Sequence, residues 1–427
     1  MVRLSEELSF RGLIHQVSDP EILAALDSKS LTAYIGFDPS SDSLHVGSLL
    51  QLCNLRRLQI AGHRPIALAG AGTGLIGDPG GKSEERPLLS AEELAANLEG
   101  VRPQMERFLD FSKSSRGNQA MLLNNADWLC NLELVEFLRD VGKHFTVSQM
   151  IAKESVKSRL ERAEQGITYT EFSYMLLQAY DFLHLYDNFD CRLQLGGSDQ
   201  WGNITMGVEL IRKVRQGVAF GVTSPLVLKP DGTKFGKTES GAVYLDPRRT
   251  SPYAFYQYFV RVEDSVVGQY LRYFTFFGKE TILSLDKATH ERPKERQAQR
   301  ELAKAVCVLV HGEAETARVE AAAAALYSED LVGLDEATLL MVLDDAPSSK
   351  HARAALDDGI DVIDVLVSSG LVRSKSAARS ALAQGGVYVN NRRVHSDDTL
   401  ITRNELIADR YVVLRRGQRD VHLLSFS

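Results

Sequence analysis

Up to about residue 220 the chain alternates short apolar runs with helical patterns. AYIGF (33–37), RPIALAGA (64–71), AMLLNNA (120–126) and CRLQLGG (191–197) are short continuous apolar runs bounded by Gly, Asp or Asn, and they predict strands. Segments starting near His45, Ser90, Leu132 and Asp199 predict the helices between them. That alternation predicts an α/β architecture, a doubly wound parallel sheet over residues 1–250 whose ligands lie beyond the carboxyl ends of its strands. From Ser251 the pattern becomes helical, opening with the aromatic-rich SPYAFYQYFVRV and closing with VEAAAAALY, which predicts an α-helical domain at 251–327. Acidic and small residues, LDDAPSSKHARAALDDG, mark 328–358 as a linker. The remainder, 359–427, reads as two short helices and a hairpin through Asn390 and Asn391, a small α+β domain.

Composition limits what such a chain can be. With 427 residues, 44% hydrophobic and 25% charged, it suits a soluble globular protein of two or three domains. No apolar run reaches the roughly 18 residues of a membrane span, and MVRLSEELSFRGLIHQ reads as an amphipathic helix and not a signal peptide, so no membrane association and a cytoplasmic location are expected. The scattered Cys53, Cys130, Cys191 and Cys307 fit reduced thiols in a core and neither a disulfide framework nor a metal site. The net charge of -7 argues against indiscriminate nucleic-acid binding, yet from Ile360 onward ten Lys and Arg face seven Asp and Glu. A basic end on an acidic body suits a polyanion partner about as well as a solvated surface.

Five stretches carry candidate chemistry. GTGLIG (72–77) matches a dinucleotide fingerprint, but Pro79, Gly80 and Gly81 follow where that mechanism needs a helix, so nicotinamide binding is set aside. HVGS (45–48) opens a helix directly after a strand, where free N–H groups and His45 suit a phosphate, although a lone histidine there also suits a cap. QLGGSDQWGN (194–203) offers a glycine pair and Asp199, placed to accept from ribose hydroxyls, with helix capping by Ser198 and Asp199 as the plain alternative. In KFGKT (234–238), two lysines flank a glycine and could stabilise charge on a departing pyrophosphate. YMLLQAYD (174–181) places Tyr174, Gln178 and Asp181 on one helix face, a polar stripe in an apolar segment.

Taken in order, H-x-G, GGSDQ and KFGKT on this scaffold resemble the signatures of the class I aminoacyl-tRNA synthetases, and YIGFDP, GLIGDP, YMLLQAYDF and GGSDQWGN narrow the resemblance to the bacterial tyrosyl-tRNA synthetases. It covers nearly the whole chain. It implies a Rossmann-like catalytic domain, a helical anticodon-recognition domain and an S-four-type RNA-binding domain at 359–427. It also implies ATP as a substrate, with Mg²⁺, and L-tyrosine and tRNA(Tyr) as partners of a homodimer whose interface surrounds the third strand and the helix after it. By the same resemblance Tyr34 and Asp181 meet the phenolic hydroxyl, Asp78, Tyr174 and Gln178 meet the ammonium group, and Gln194 belongs to the same pocket. The ATP positions are Gly36, Asp38, His45, Gly47, Ser48, Gly197, Asp199, Gln200 and Lys237. The catalytic set is His45 with Lys82, Arg86, Lys234, Lys237 and Thr238 around the pyrophosphate. Arg373, Lys375, Arg379, Arg392 and Arg393 become the RNA contacts, and no protein cage for a metal is implied.

The match departs at two positions. Ser48 stands where the family usually has a second histidine, and Ile35 where small or thiol side chains are common. Both lie on the ATP side, so a relative that binds tRNA or tyrosine as a regulator stands beside the active enzyme as a second reading.

Overall fold

The computed structural model describes residues 3–79, 89–113, 117–160, 166–230, 232–233, 235–238, 241–326, 331, 333–343, 346–417 and 420–427. Strands β1 (Gln16–Val17), β2 (Thr32–Phe37), β3 (Arg64–Ala69), β4 (Met121–Asn124), β5 (Cys191–Gly197) and β6 (Phe220–Ser224) form one sheet in the order β1-β6-β5-β2-β3-β4. Neighbours from β6 to β4 are parallel, and the two-residue β1 closes the edge antiparallel to β6. β3 and β6 are buried almost throughout, as strands covered on both faces must be, so they are continuous apolar runs and not alternating ones. From β2 the chain winds outward to β3 and β4, then returns to lay β5 and β6 on the other flank. The carboxyl ends of β2 and β5 therefore flank a topological switch point, where such a sheet opens a crevice.

Two of the helices packed around this sheet, Val46–Ile60 and Tyr169–Phe189, line that crevice. α1 (Val46–Ile60) follows β2, and α2 (Ala91–Phe108) starts with a capping box between Ser90 and Glu93. α3 (Tyr169–Phe189) is capped by Thr168, and α4 (Trp201–Arg215) carries Arg212, Lys213 and Arg215 in its last turn, where cations complement the helix dipole. Met175, Phe182 and Leu183 of α3 share a core cluster with Met206, Leu210 and Ile211 of α4. GTGLIG forms only a single helical turn, Ala71–Gly74, and the chain leaves it through Gly77 at φ 82°, so no helix is presented to a pyrophosphate there.

A helix at Asp264–Phe274 is tied to this layer by two buried arginines. Arg57 Nη2 donates to the carbonyls of Tyr273 (2.7 Å) and Thr275 (3.0 Å). Arg11 donates to those of Thr275 (2.9 Å) and Phe277 (2.7 Å). The carbonyls at a helix C-terminus lack intrahelical partners, and guanidinium groups satisfy them with charge-assisted bonds. Burial lowers the Arg57 guanidinium only to about 10, so it stays cationic at neutral pH.

The chain divides into two compact units, one of Met1–Thr250 with Tyr258–Val310, the other of Ser251–Gln257 with His311–Ser427. Residues 251–327, read from sequence as one helical domain, are thus shared between the units. In the second unit, helices Val362–Ser368 and Lys375–Ala383 precede the expected hairpin, with Asn390 (φ 49°) and Asn391 (φ 67°) supplying the left-handed turn. Its sheet continues through Tyr411–Arg416 to Asp420–Phe426, and Ser348–His351 pairs in parallel with that last strand. The stretch read as a linker therefore contains an edge strand and a helix, Glu336–Val342. The cysteines are unbridged thiols, three buried as expected and Cys130 exposed. Among the described residues no helix is long and apolar enough to cross a membrane.

Candidate active site

The crevice between β2 and β5 holds a cavity of 310 Å³. Tyr34 and Gln194 face each other in register across the two strands, 1% and 2% exposed, and form its floor. Among the described residues, the Tyr34 hydroxyl and Gln194 Oε1 are buried with no hydrogen-bond partner. Such orphans cost on the order of 1–3 kcal/mol each, which a polar ligand would recover. Burial, then Asp181 and Cys191, push the Tyr34 phenol well above its usual range, so it remains a neutral hydroxyl.

The wall comes from α3. Tyr174 and Asp181 of the polar stripe are both buried. Asp181 accepts from Asn125 Nδ2 at 2.9 Å and Trp128 Nε1 at 2.7 Å. Asn125 is fixed in turn by donating to Thr73 Oγ1 (3.0 Å) and accepting from the Gly72 amide (2.7 Å), and the Trp128 ring stacks on His184 at 4.2 Å. Burial, with Asp38 in support, raises the Asp181 carboxyl to about 7 against the two donors that favour its charge. Tyr174 donates to Asp38 Oδ2 (3.3 Å), and Gln178 donates to Gln200 (3.3 Å), which donates to Asp78 (2.7 Å). These hydrogen bonds link the polar groups of the wall to neighbouring polar side chains.

At the other side, the cavity reaches Gly36, Gly47, Ser48, Gly197 and Asp199. His45 is not among its lining residues: it N-caps α1, its Nδ1 accepting from the Gly47 amide at 3.0 Å. That acceptor role assigns the ring proton to Nε2. The capping alternative for His45 is thus correct and compatible with a donor role. A Cβ at Gly47 would stand 2.6 Å from the His45 ring, which is why glycine follows the cap at this spacing. The N-cap positions of the turn Ser198–Gln200 and of α4 are Gly197 and Gln200, and neither makes a side-chain capping bond. The return of the KFGKT loop runs beside α1, with the Val46 amide donating to Val243 O (3.0 Å) and that of Leu245 to Leu44 O (2.8 Å).

Tyr34, Asp78, Tyr174, Gln178, Asp181 and Gln194 are thus gathered around one cavity with Asp38, Asp199 and Gln200. Lys82, Arg86 and Lys234 lie outside the described residues; of Lys237 and Thr238 only the backbone is described, a two-residue strand paired with Gly241–Ala242. Arg373, Lys375, Arg379, Arg392 and Arg393 are exposed in the second unit, where Lys375 pairs with Asp364 (2.5 Å) and Arg379 with Asp397 (3.7 Å). Asn125 and Trp128, which hold Asp181, and Thr73, which donates to Asp38 Oδ1 (3.2 Å), were not foreseen. Among the described residues no group of three or more His, Cys, Asp or Glu could hold a metal ion.

A polar pocket at the switch point of a parallel sheet, beside a histidine-capped helix start laced to a lysine-bearing loop, defines the class I synthetase architecture. The chain belongs to that family: residues 26–328 match the model of class I tRNA synthetases (W and Y), and 339–424 that of the tyrosine–tRNA ligase SYY-like C-terminal domain. It is 52% identical over 425 residues to the tyrosine–tRNA ligase of Roseiflexus castenholzii, covering 99% of each chain. With that of Geobacillus stearothermophilus the identity is 48% over 428 residues, covering 99% of this chain and 100% of the relative. Among solved structures, a C-terminally truncated mitochondrial tyrosyl-tRNA synthetase of Aspergillus nidulans superposes with a TM-score of 0.69 at 30% identity, covering 77% of this chain and 95% of that one.

Proposed function

We infer that this chain is a tyrosine–tRNA ligase, joining L-tyrosine to AMP and passing it to the 3′ end of tRNA(Tyr). The observation that carries the substrate choice is the unpartnered Tyr34 hydroxyl in a cavity walled by Asp181, whose two oxygens are held by Asn125 and Trp128. A tyrosine phenol donates to Asp181 and accepts from Tyr34, while Asp78, Tyr174 and Gln178 receive the ammonium group and Gln194 completes the pocket. ATP lies over Gly36, Asp38, Gly47, Ser48, Gly197, Asp199 and Gln200. The tyrosine carboxylate oxygen bonds to the α-phosphorus as the bond to the bridging oxygen breaks and pyrophosphate leaves, so no general base is needed. His45 Nε2–H and the cations Lys82, Arg86, Lys234 and Lys237, with Thr238, stabilise the developing phosphate charge. Mg²⁺ enters with ATP as part of the substrate. The reading is tested by tyrosine-dependent exchange of pyrophosphate into ATP, with phenylalanine and tryptophan as controls. An absence of exchange with tRNA binding intact would make the chain a binding relative, the outcome that Ser48 and Ile35 motivate.

Because a bound phenol favours the ionised carboxylate, binding lowers the Asp181 pKa from about 7. Tyrosine affinity is therefore full above that pH and falls as pH drops through it. Equilibrium dialysis of tyrosine between about pH 6 and 8.5 reads this, and a flat profile contradicts it.

The helical and C-terminal segments read tRNA: residues 251–327 the anticodon, and 359–427 the backbone through Arg373, Lys375, Arg379, Arg392 and Arg393, with affinity that weakens as salt rises. The setting is cytoplasmic and the assembly a homodimer. Leu134 (70%), Val135 (75%) and Val147 (61%) are exposed apolar side chains in the segment after β4, which a second copy would cover. Sedimentation should give a mass near twice that of the 47.3 kDa chain, and Val135→Arg should return it to one. A single-chain mass for the unaltered protein would refute the dimer.

A further inference from the structure

Two residues of the lysine-bearing loop's own signature, Phe235 and Gly236, are docked on side chains that lie outside that signature. Phe235 is buried, 5% exposed, with its ring centroid 4.7 Å from that of Tyr270, 5.2 Å from Tyr258 and 5.4 Å from Phe274. Tyr270 and Phe274 belong to the helix whose end Arg11 and Arg57 grip, so the ring sits in a braced socket. Gly236 follows at φ 88°, in the left-handed region that glycine adopts without strain. Its amide donates to the Tyr258 hydroxyl at 2.9 Å, and its carbonyl accepts from Val243 at 2.9 Å. A Cβ at this position would lie 2.5 Å from Val46 Cγ2 and 3.5 Å from the Gly47 amide nitrogen, so the backbone runs directly against the first turn of α1.

We propose that Tyr258 is a positioning residue for tyrosine activation: its hydroxyl fixes the Gly236 amide, and hence the backbone leading to Lys237, at a set offset from the helix start that His45 caps. The inference rests on the tyrosine–tRNA ligase reading. An amide in a left-handed turn has no helix or sheet partner of its own, and without the phenolic oxygen its place is taken by water. Burial pushes the Tyr258 phenol up to about 12, so the group is a neutral hydroxyl throughout the working pH range. The contact matters for rate more than for binding, because a cation that stabilises a departing pyrophosphate is effective only if it is already placed when the charge develops.

Tyr258→Phe keeps the ring beside Phe235 and removes only the oxygen. The variant should lower kcat in ATP–pyrophosphate exchange roughly fivefold to tenfold, as the loss of one net hydrogen bond does, while the Kd for tyrosine stays within about twofold. Hydrogen–deuterium exchange should also accelerate at the Gly236 amide and not in α3. Unchanged kcat with unchanged protection at Gly236 overturns the proposal, as does an equal loss in tyrosine affinity, which would mark a general structural defect. If the unaltered protein shows no pyrophosphate exchange, the ligase reading fails by itself; protection at Gly236 then decides whether Tyr258 holds the loop.

Discussion

Asp181→Ala should reduce kcat/KM for tyrosine by roughly a thousandfold, about 4 kcal/mol. The loss sums a charge-assisted bond to the substrate phenol with the stranding of two buried donors, Asn125 Nδ2 and Trp128 Nε1, that Asp181 now satisfies. Discrimination should suffer more than rate. A site built to pair a hydroxyl rejects the analogue lacking it because its own polar groups are left unpaired; tyrosyl-tRNA synthetases are the standard instance, rejecting phenylalanine on the order of 10⁵-fold. In the variant that ratio should collapse to roughly tenfold or less, since only Tyr34 remains to read the hydroxyl. Pyrophosphate exchange with both amino acids measures it, and a variant that still rejected phenylalanine strongly would show that Asp181 does not set the specificity.

His45→Asn separates the cap that this side chain makes from the phosphate-donor role proposed for it. Asparagine is among the best N-caps, so α1 keeps its Gly47 contact and the melting temperature should barely move. The Nε2–H is lost, and kcat should fall on the order of a hundredfold, about 3 kcal/mol of barrier, with tyrosine affinity intact. His45→Ala should show the same loss and in addition about 1 kcal/mol of instability from the missing cap. If His45→Asn were fully active, the histidine would be a cap and nothing more.

The central strands were legible because burial on both faces makes each a continuous apolar run. The stripe Tyr174, Gln178, Asp181 was legible because helical periodicity puts the three residues on one face. What could not be read are contacts that only the assembled sheet creates. Asn125 and Trp128 reach Asp181 because β4 ends beside α3, and nothing in NNADW announces a partner more than fifty residues away. Tyr258 likewise meets Gly236 across 22 residues. The edge strand Ser348–His351 escaped because SSKH lacks an apolar alternation, and its pairing with the last strand supplies the order that its composition does not.

That edge strand decides how the C-terminal region can be taken apart. Asp420–Phe426 is sandwiched between Tyr411–Arg416 and Ser348–His351. A fragment begun at residue 359 would strip one side of it and leave an unpaired row of amides and carbonyls on a strand carrying Leu423, Leu424 and Phe426. Such a row is a template for pairing with other chains, so the short fragment should self-associate where one beginning ahead of Ser348 stays dispersed.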